Sequence, residues 1–97
     1  MNRVQFFNSI GGIQYPRMIV DFFDHFIALK QIVEDKGIVT VDNNNENSIE
    51  FSIIFNTKED RDLALVNMQS GTIIIYNRPI SVSIESLLDE SIKIRLQ

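Results

Sequence analysis

IEFSIIFNTKEDRDLALVNMQSGTIIIYNRPISVSI, residues Ile49 to Ile84, holds the pattern on which the fold turns. Ile49, Phe51, Ile53 and Phe55 alternate with Glu50, Ser52 and Ile54, so one face of an extended strand is apolar and the other largely polar. Thr57 then offers an N-cap oxygen, and Asp60 stands three residues on, where a capping box places its acidic partner. Ala64, Leu65 and Met68 share the inner face of the helix this predicts, and Ser70-Gly71 stops it. Thr72–Tyr76 and Ile80–Ile84 follow as two strands around a turn at Asn77-Arg78-Pro79. In the second of them Ile80, Val82 and Ile84 point one way, and Ser81 and Ser83 the other.

Upstream, Val4–Ile10 reads as a strand with Val4 and Phe6 on one face and Gln5 and Phe7 on the other; Gly11-Gly12 breaks it. Pro16 suits the first turn of a helix, where its missing N–H is no loss. From there Ile19, Phe22, Phe26, Leu29 and Val33 recur at three- and four-residue steps up to Lys36-Gly37, predicting one amphipathic helix. Ile38–Val41 is β-branched and strand-like, and the polar run Asp42–Asn47 is a loop. The order is β-α-β-β-α-β with an additional short strand before the last. It predicts an α+β, ferredoxin-like two-layer sandwich, an antiparallel sheet with two helices on one face. The 97 residues form a single domain (1–97) with its core at about 4–84 and a C-terminal extension at 85–97. In that extension Ser86–Glu90 fits a helical turn, while Ile92, Ile94 and Leu96 alternating with Lys93 and Arg95 fit one more strand.

Ile49–Ile84 resembles the second half of an RNA recognition motif: a strand ending in Phe55, an acidic helix start at Glu59-Asp60, then Ala64-Leu65, a glycine before a hairpin, and Arg78-Pro79-Ile80 entering the last strand. Val4–Ile10 and Phe22-Phe23-Asp24-His25-Phe26 are similar to the first half, so the resemblance spans about residues 4–84. It implies a sheet face that stacks single-stranded RNA on aromatic residues. At the matching positions stand Glu50, Ser52 and Gln5, and the loop that often carries cations reads Asp-Asn-Asn-Asn-Glu-Asn. Phe7 is the one aromatic left on that face. Stacking contributes roughly 1–3 kcal/mol per base, so these replacements remove most of the family's usual affinity.

Composition narrows the function further. There is no cysteine, which excludes disulfides, thiolate metal sites and thiol nucleophiles. His25 is the only histidine, so no histidine cluster binds a metal and no histidine pair divides acid and base roles. Asp21 and Asp24 read as a solvated helix face, and Glu59, Asp60 and Asp62 as charges favoured by a helix N-terminus. Gly11-Gly12 lacks the spacing of a P-loop or dinucleotide fingerprint. We therefore expect no enzyme, cofactor or metal. No apolar run is long enough for a membrane span, which points to an intracellular protein, cytoplasmic or nuclear. The net charge of −4 opposes non-specific nucleic-acid binding. Plentiful Ile and Asn, with alanine only at Ala28 and Ala64, marks an AT-rich genome such as many viruses, some protists and some bacteria have.

What remains is surplus apolar surface. Val20, Phe23 and Ile27 form a second stripe on the first helix, and Ile74 and Tyr76 lie on a short apolar strand suited to a sheet edge. These five residues predict a non-catalytic module acting through protein–protein contacts, with a homodimer or a protein partner; in a viral setting that partner is a host protein. The alternative is an RNA-binding domain with an atypical sheet surface made of Arg3, Gln5, Phe7, Arg17, Ser52 and Arg78.

Overall fold

A computed structural model describes residues 16–87 and 89–97. Along them run α1 (Arg17–His25), α2 (Ile27–Lys36), β1 (Gly37–Asn44), β2 (Ile49–Phe55), α3 (Lys58–Leu65), β3 (Gly71–Ile75), β4 (Arg78–Ser86) and β5 (Ser91–Leu96). The class is α+β, with a five-stranded antiparallel sheet and three helices among the described residues. The strand expected at Val4–Ile10 lies outside them.

The region Ile49–Ile84 folds much as its periodicity requires. Ile49, Phe51, Ile53 and Phe55 are buried, and the Thr57 hydroxyl accepts a hydrogen bond from the Asp60 N–H at 3.1 Å, capping α3. The hairpin turn is tighter than expected. Tyr76 and Asn77 occupy it with φ of 50° and 62°, and Arg78 and Pro79 already belong to β4. Two consecutive left-handed residues make the two-residue turn whose twist matches the flanking strands.

The single helix expected from Pro16 to Lys36 is broken at Phe26, whose φ of −116° and ψ of 78° are not helical. Its N–H still donates to the carbonyls of Phe22 and Phe23, both at 3.2 Å, closing α1 before α2 begins. With this break Phe22 and Phe23 both meet Phe51, at ring-centroid distances of 5.6 and 5.9 Å, while Leu29 and Val33 bury the inner side of α2. At the α2–β1 junction a Cβ on Gly37 would lie 3.0 Å from Ile53 Cγ2 and 3.1 Å from Phe55 Cε1. A larger residue there would have to push the Ile53 and Phe55 side chains aside by a few tenths of an ångström.

The sheet order is β1-β2-β5-β4-β3, which differs from a ferredoxin-like order counted along the chain. Residues 85–97, expected as an extension beyond the core, instead complete β4 and supply β5, which lies between β2 and β4. The side-chain pattern explains the placement. Ile92, Ile94 and Leu96 stand opposite Ile53, Phe51 and Ile49 on one side, while Ile94 and Leu96 meet Ile84 and Val82 on the other. Arg61 of α3 holds the preceding turn by donating to the carbonyls of Leu87 and Asp89, at 2.9 and 2.7 Å. The Phe55 N–H donates to the Glu90 carbonyl at 2.9 Å.

A strand buried on one face and paired on both edges is indispensable. Deleting residues 91–97 is expected to abolish the cooperative urea transition followed by far-ultraviolet circular dichroism. A truncated chain that still unfolds cooperatively refutes the central placement of β5.

Candidate functional site

The helices cover one face of the sheet, leaving three surfaces among the described residues: the opposite sheet face, the outer edge of β1, where the register shifts between Val41 and Asn43, and the outer edge of β3. On the open face Glu50 stands opposite Arg95, and Glu85 opposite Lys93. Lys93 Nζ also lies 3.9 Å from Glu50 Oε2. These cross-strand charges satisfy one another, contributing about 0.2–1 kcal/mol per pair to the register. Ser52 donates its hydroxyl proton to the Asp42 carboxylate. Among the described strands the only aromatic residues, Phe51 and Phe55, point into the core, so these strands offer no stacking platform on this face. Its apolar feature is the paired and exposed Ile38 and Ile54.

The β3 edge is different. A two-residue turn closes on a hydrogen-bonded pair, here Ile75 with Arg78, and bonded pairs then alternate along the hairpin. Ile74 opposite Pro79 and Thr72 opposite Ser81 are therefore the unbonded pairs, and Pro79 indeed has no N–H to give. The N–H and C=O groups of Thr72 and Ile74 point away from β4, and among the described residues no strand lies there to receive them. The Ile74 side chain is 57% exposed and Tyr76 71%.

Beside this edge α1 forms the second wall of a groove of about 190 Å³, lined by Asp21, Asp24, His25, Ile74, Ile75 and Tyr76. Arg17 closes one end. Its Nε donates to Asp21 Oδ1 at 3.1 Å and its Nη2 to the Tyr76 hydroxyl at 2.9 Å. The hydrogen bond to Tyr76, then the field of Tyr76 and Asp21, raises the Arg17 pKa above its ordinary value, so the guanidinium stays charged. Asp24, half exposed, accepts from Lys30 Nζ at 2.9 Å.

The residues singled out from the sequence are dispersed. Ile74 and Tyr76 come together at the β3 edge. Phe23 is wholly buried at 0% and belongs to the core, Val20 is half-buried against it, and Ile27 stands apart at 54% exposure. The break at Phe26 thus divides the expected second stripe. Arg17 and Arg78 line a separate cleft of about 370 Å³ with the β1–β2 loop and Gln97, whereas Ser52 is on the open face. Arg3, Gln5 and Phe7 lie outside the described residues. Asp21, Asp24 and His25 were legible only as a polar helix face, since their neighbours come from a strand some fifty residues on. Among the described residues no group of His, Asp and Glu is arranged to hold a metal, and no helix is long and apolar enough to cross a membrane.

No family model matches the chain, and neither a curated protein nor a solved structure matches it significantly.

The division of the stripe is measurable. Phe23→Ser is expected to cost about 3–5 kcal/mol in urea unfolding, and Ile27→Ser less than about 0.5 kcal/mol. Equal effects contradict this packing of α1 and α2.

Proposed function

We propose that this chain is a non-catalytic protein-binding module that takes an extended segment of its partner onto the outer edge of β3. The observation that carries this reading is the outward-directed backbone of Thr72 and Ile74, which no strand among the described residues pairs, on an exposed edge. Edges of soluble proteins are usually blunted by lysine, proline or a bulge. Gly71-Thr72-Ile73-Ile74-Ile75 has none of these and continues its partner's alternation of exposed and buried side chains. Strand addition of this kind draws affinity from main-chain hydrogen bonds and specificity from alternate side-chain pockets.

Magnitudes show what each part supplies. Two donors and two acceptors at about 0.5–1.5 kcal/mol each make a main-chain contribution on the order of 4 kcal/mol, which alone is millimolar binding. Anything tighter needs side chains, and Tyr76 is placed for that role. A bulky residue in left-handed backbone costs about 1–2 kcal/mol where glycine or asparagine is preferred. An exposed tyrosine kept there against that cost suggests a role in recognition.

We read the sheet itself as a rearranged ferredoxin-like sheet, in keeping with the resemblance to RNA recognition motifs. β1, β2, β5 and β4 take, side by side, the places of that plan's second, third, first and fourth strands, and β3 is added beyond. On this reading the face that binds RNA in such motifs carries the self-neutralised charges of Glu50, Glu85, Lys93 and Arg95. That favours a protein partner over RNA.

Two measurements test the proposal. Selection from displayed random dodecapeptides should enrich binders to the native chain that fail on Ile74→Pro, which removes one outward N–H and leaves the hairpin's own bonds in place. In parallel, fluorescence anisotropy of a random single-stranded RNA pool should show no saturable binding at low or moderate salt. Peptides indifferent to Ile74→Pro, or RNA binding that survives moderate salt, overturn the reading. Tyr76→Gly separates the two roles of the turn: the melting temperature should rise by a few degrees while peptide binding weakens. A lower melting temperature shows that the tyrosine holds the turn instead.

A further inference from the structure

The partner's chemistry follows from the groove, on the assumption that the β3 edge is the binding surface. A segment added to β3 turns alternate side chains toward the helix layer, the side on which Ile73 and Ile75 lie. Its helix-side residue nearest the turn enters the groove between Tyr76 and α1, whose walls carry Asp21 and Asp24. Asp21 is committed to Arg17 and only 9% exposed, whereas Asp24 is half exposed and bonded to Lys30 through one carboxylate oxygen. The other oxygen of Asp24 remains an acceptor for a second cation. The Tyr76 ring offers a further favourable surface for such a cation. We infer that the partner segment is an extended strand carrying lysine or arginine at alternate positions, with a basic side chain seated in this groove beside Asp24 and Tyr76.

The competing occupant is a second copy of this chain, and the same charges disfavour it. Two β3 strands paired antiparallel across a two-fold axis keep both helix layers on one side of the joined sheet. The groove at the turn end of one copy then adjoins the Gly71 end of the other, and Gly71–Ile75 carries no lysine or arginine to seat beside Asp24. The net charge of −4 acts in the same direction, repelling a copy and attracting a basic segment.

The test uses two acetylated, amidated octapeptides, one alternating lysine with valine and the other glutamate with valine. Each is titrated into the full ¹⁵N-labelled chain and followed by the amide resonances of Thr72 and Ile74. The lysine peptide should shift both resonances and bind about fivefold more tightly than the glutamate peptide, with the difference shrinking as salt rises. Asp24→Asn should remove most of that preference while leaving the amide spectrum folded, and Ile74→Pro should abolish binding of both peptides. Equal binding of the two, or a preference untouched by Asp24→Asn, overturns the basic partner and leaves the edge reading standing. Silence of both peptides at Thr72 and Ile74 sinks the edge reading itself. Concentration-dependent dimerisation in sedimentation, lost in Ile74→Pro, puts a second copy in the groove and overturns the basic segment.

Discussion

The insertion of β5 between β2 and β4 is the contact on which the remaining structure depends. Phe51 and Ile94 meet at its centre, and Phe22 and Phe23 pack their rings onto Phe51 from the helix layer. Without β5, β2 would end the first hairpin and β4 the second, and the two halves of the sheet would share no ladder. Its Lys93 and Arg95 then serve register, since a one-residue slip would turn Ile92, Ile94 and Leu96 toward water and bury both cations. The open face is charged because the central strand needs an unambiguous inside and outside.

Filling the centre with the chain's last strand has a consequence at the periphery. β4 is paired on one side by β5 and on the other by β3, which leaves β3 as the outer strand on that side among the described residues. The tight turn at Tyr76-Asn77 sets which backbone groups face outward, and α1 lies close enough to give that edge a second, acidic wall. Edge, turn and groove are thus one structural unit, and Arg17, bonded to both Asp21 and Tyr76, ties its two sides together. The edge cannot be altered without touching the hairpin that forms it, which makes proline at a non-bonded position an informative substitution.

Much of this was open to reading in the residues. The alternation in β2 and β4 and the Thr57 cap are local signals, and each corresponds to a real boundary, whereas α3 ends at Leu65, short of the stop expected at Ser70-Gly71. The exposure of Ile74 and Tyr76 was also legible, because a short isoleucine run next to a turn has few places in a small sheet. The placement of Phe23 was not. A helical wheel assumes one unbroken helix, and the interruption at Phe26 changes the direction of everything after it. The groove was invisible for a different reason: Asp21 and Asp24 acquire Ile74 and Tyr76 as neighbours only when α1 is laid against β3.

By itself, then, the sequence determined the local elements and the sign of the chemistry, since periodicity, capping and charge are properties of neighbours along the chain. It determined an α+β domain with a strong, acidic helix–strand alternation and the presence of an apolar strand fit for an edge. Tertiary structure alone decided which strand is central, which phenylalanines are core and which backbone groups are left over. The physical reason is that strand pairing is non-local. Ile92, Ile94 and Leu96 match several possible neighbours equally well on paper, and only the simultaneous burial of all the apolar faces selects one order.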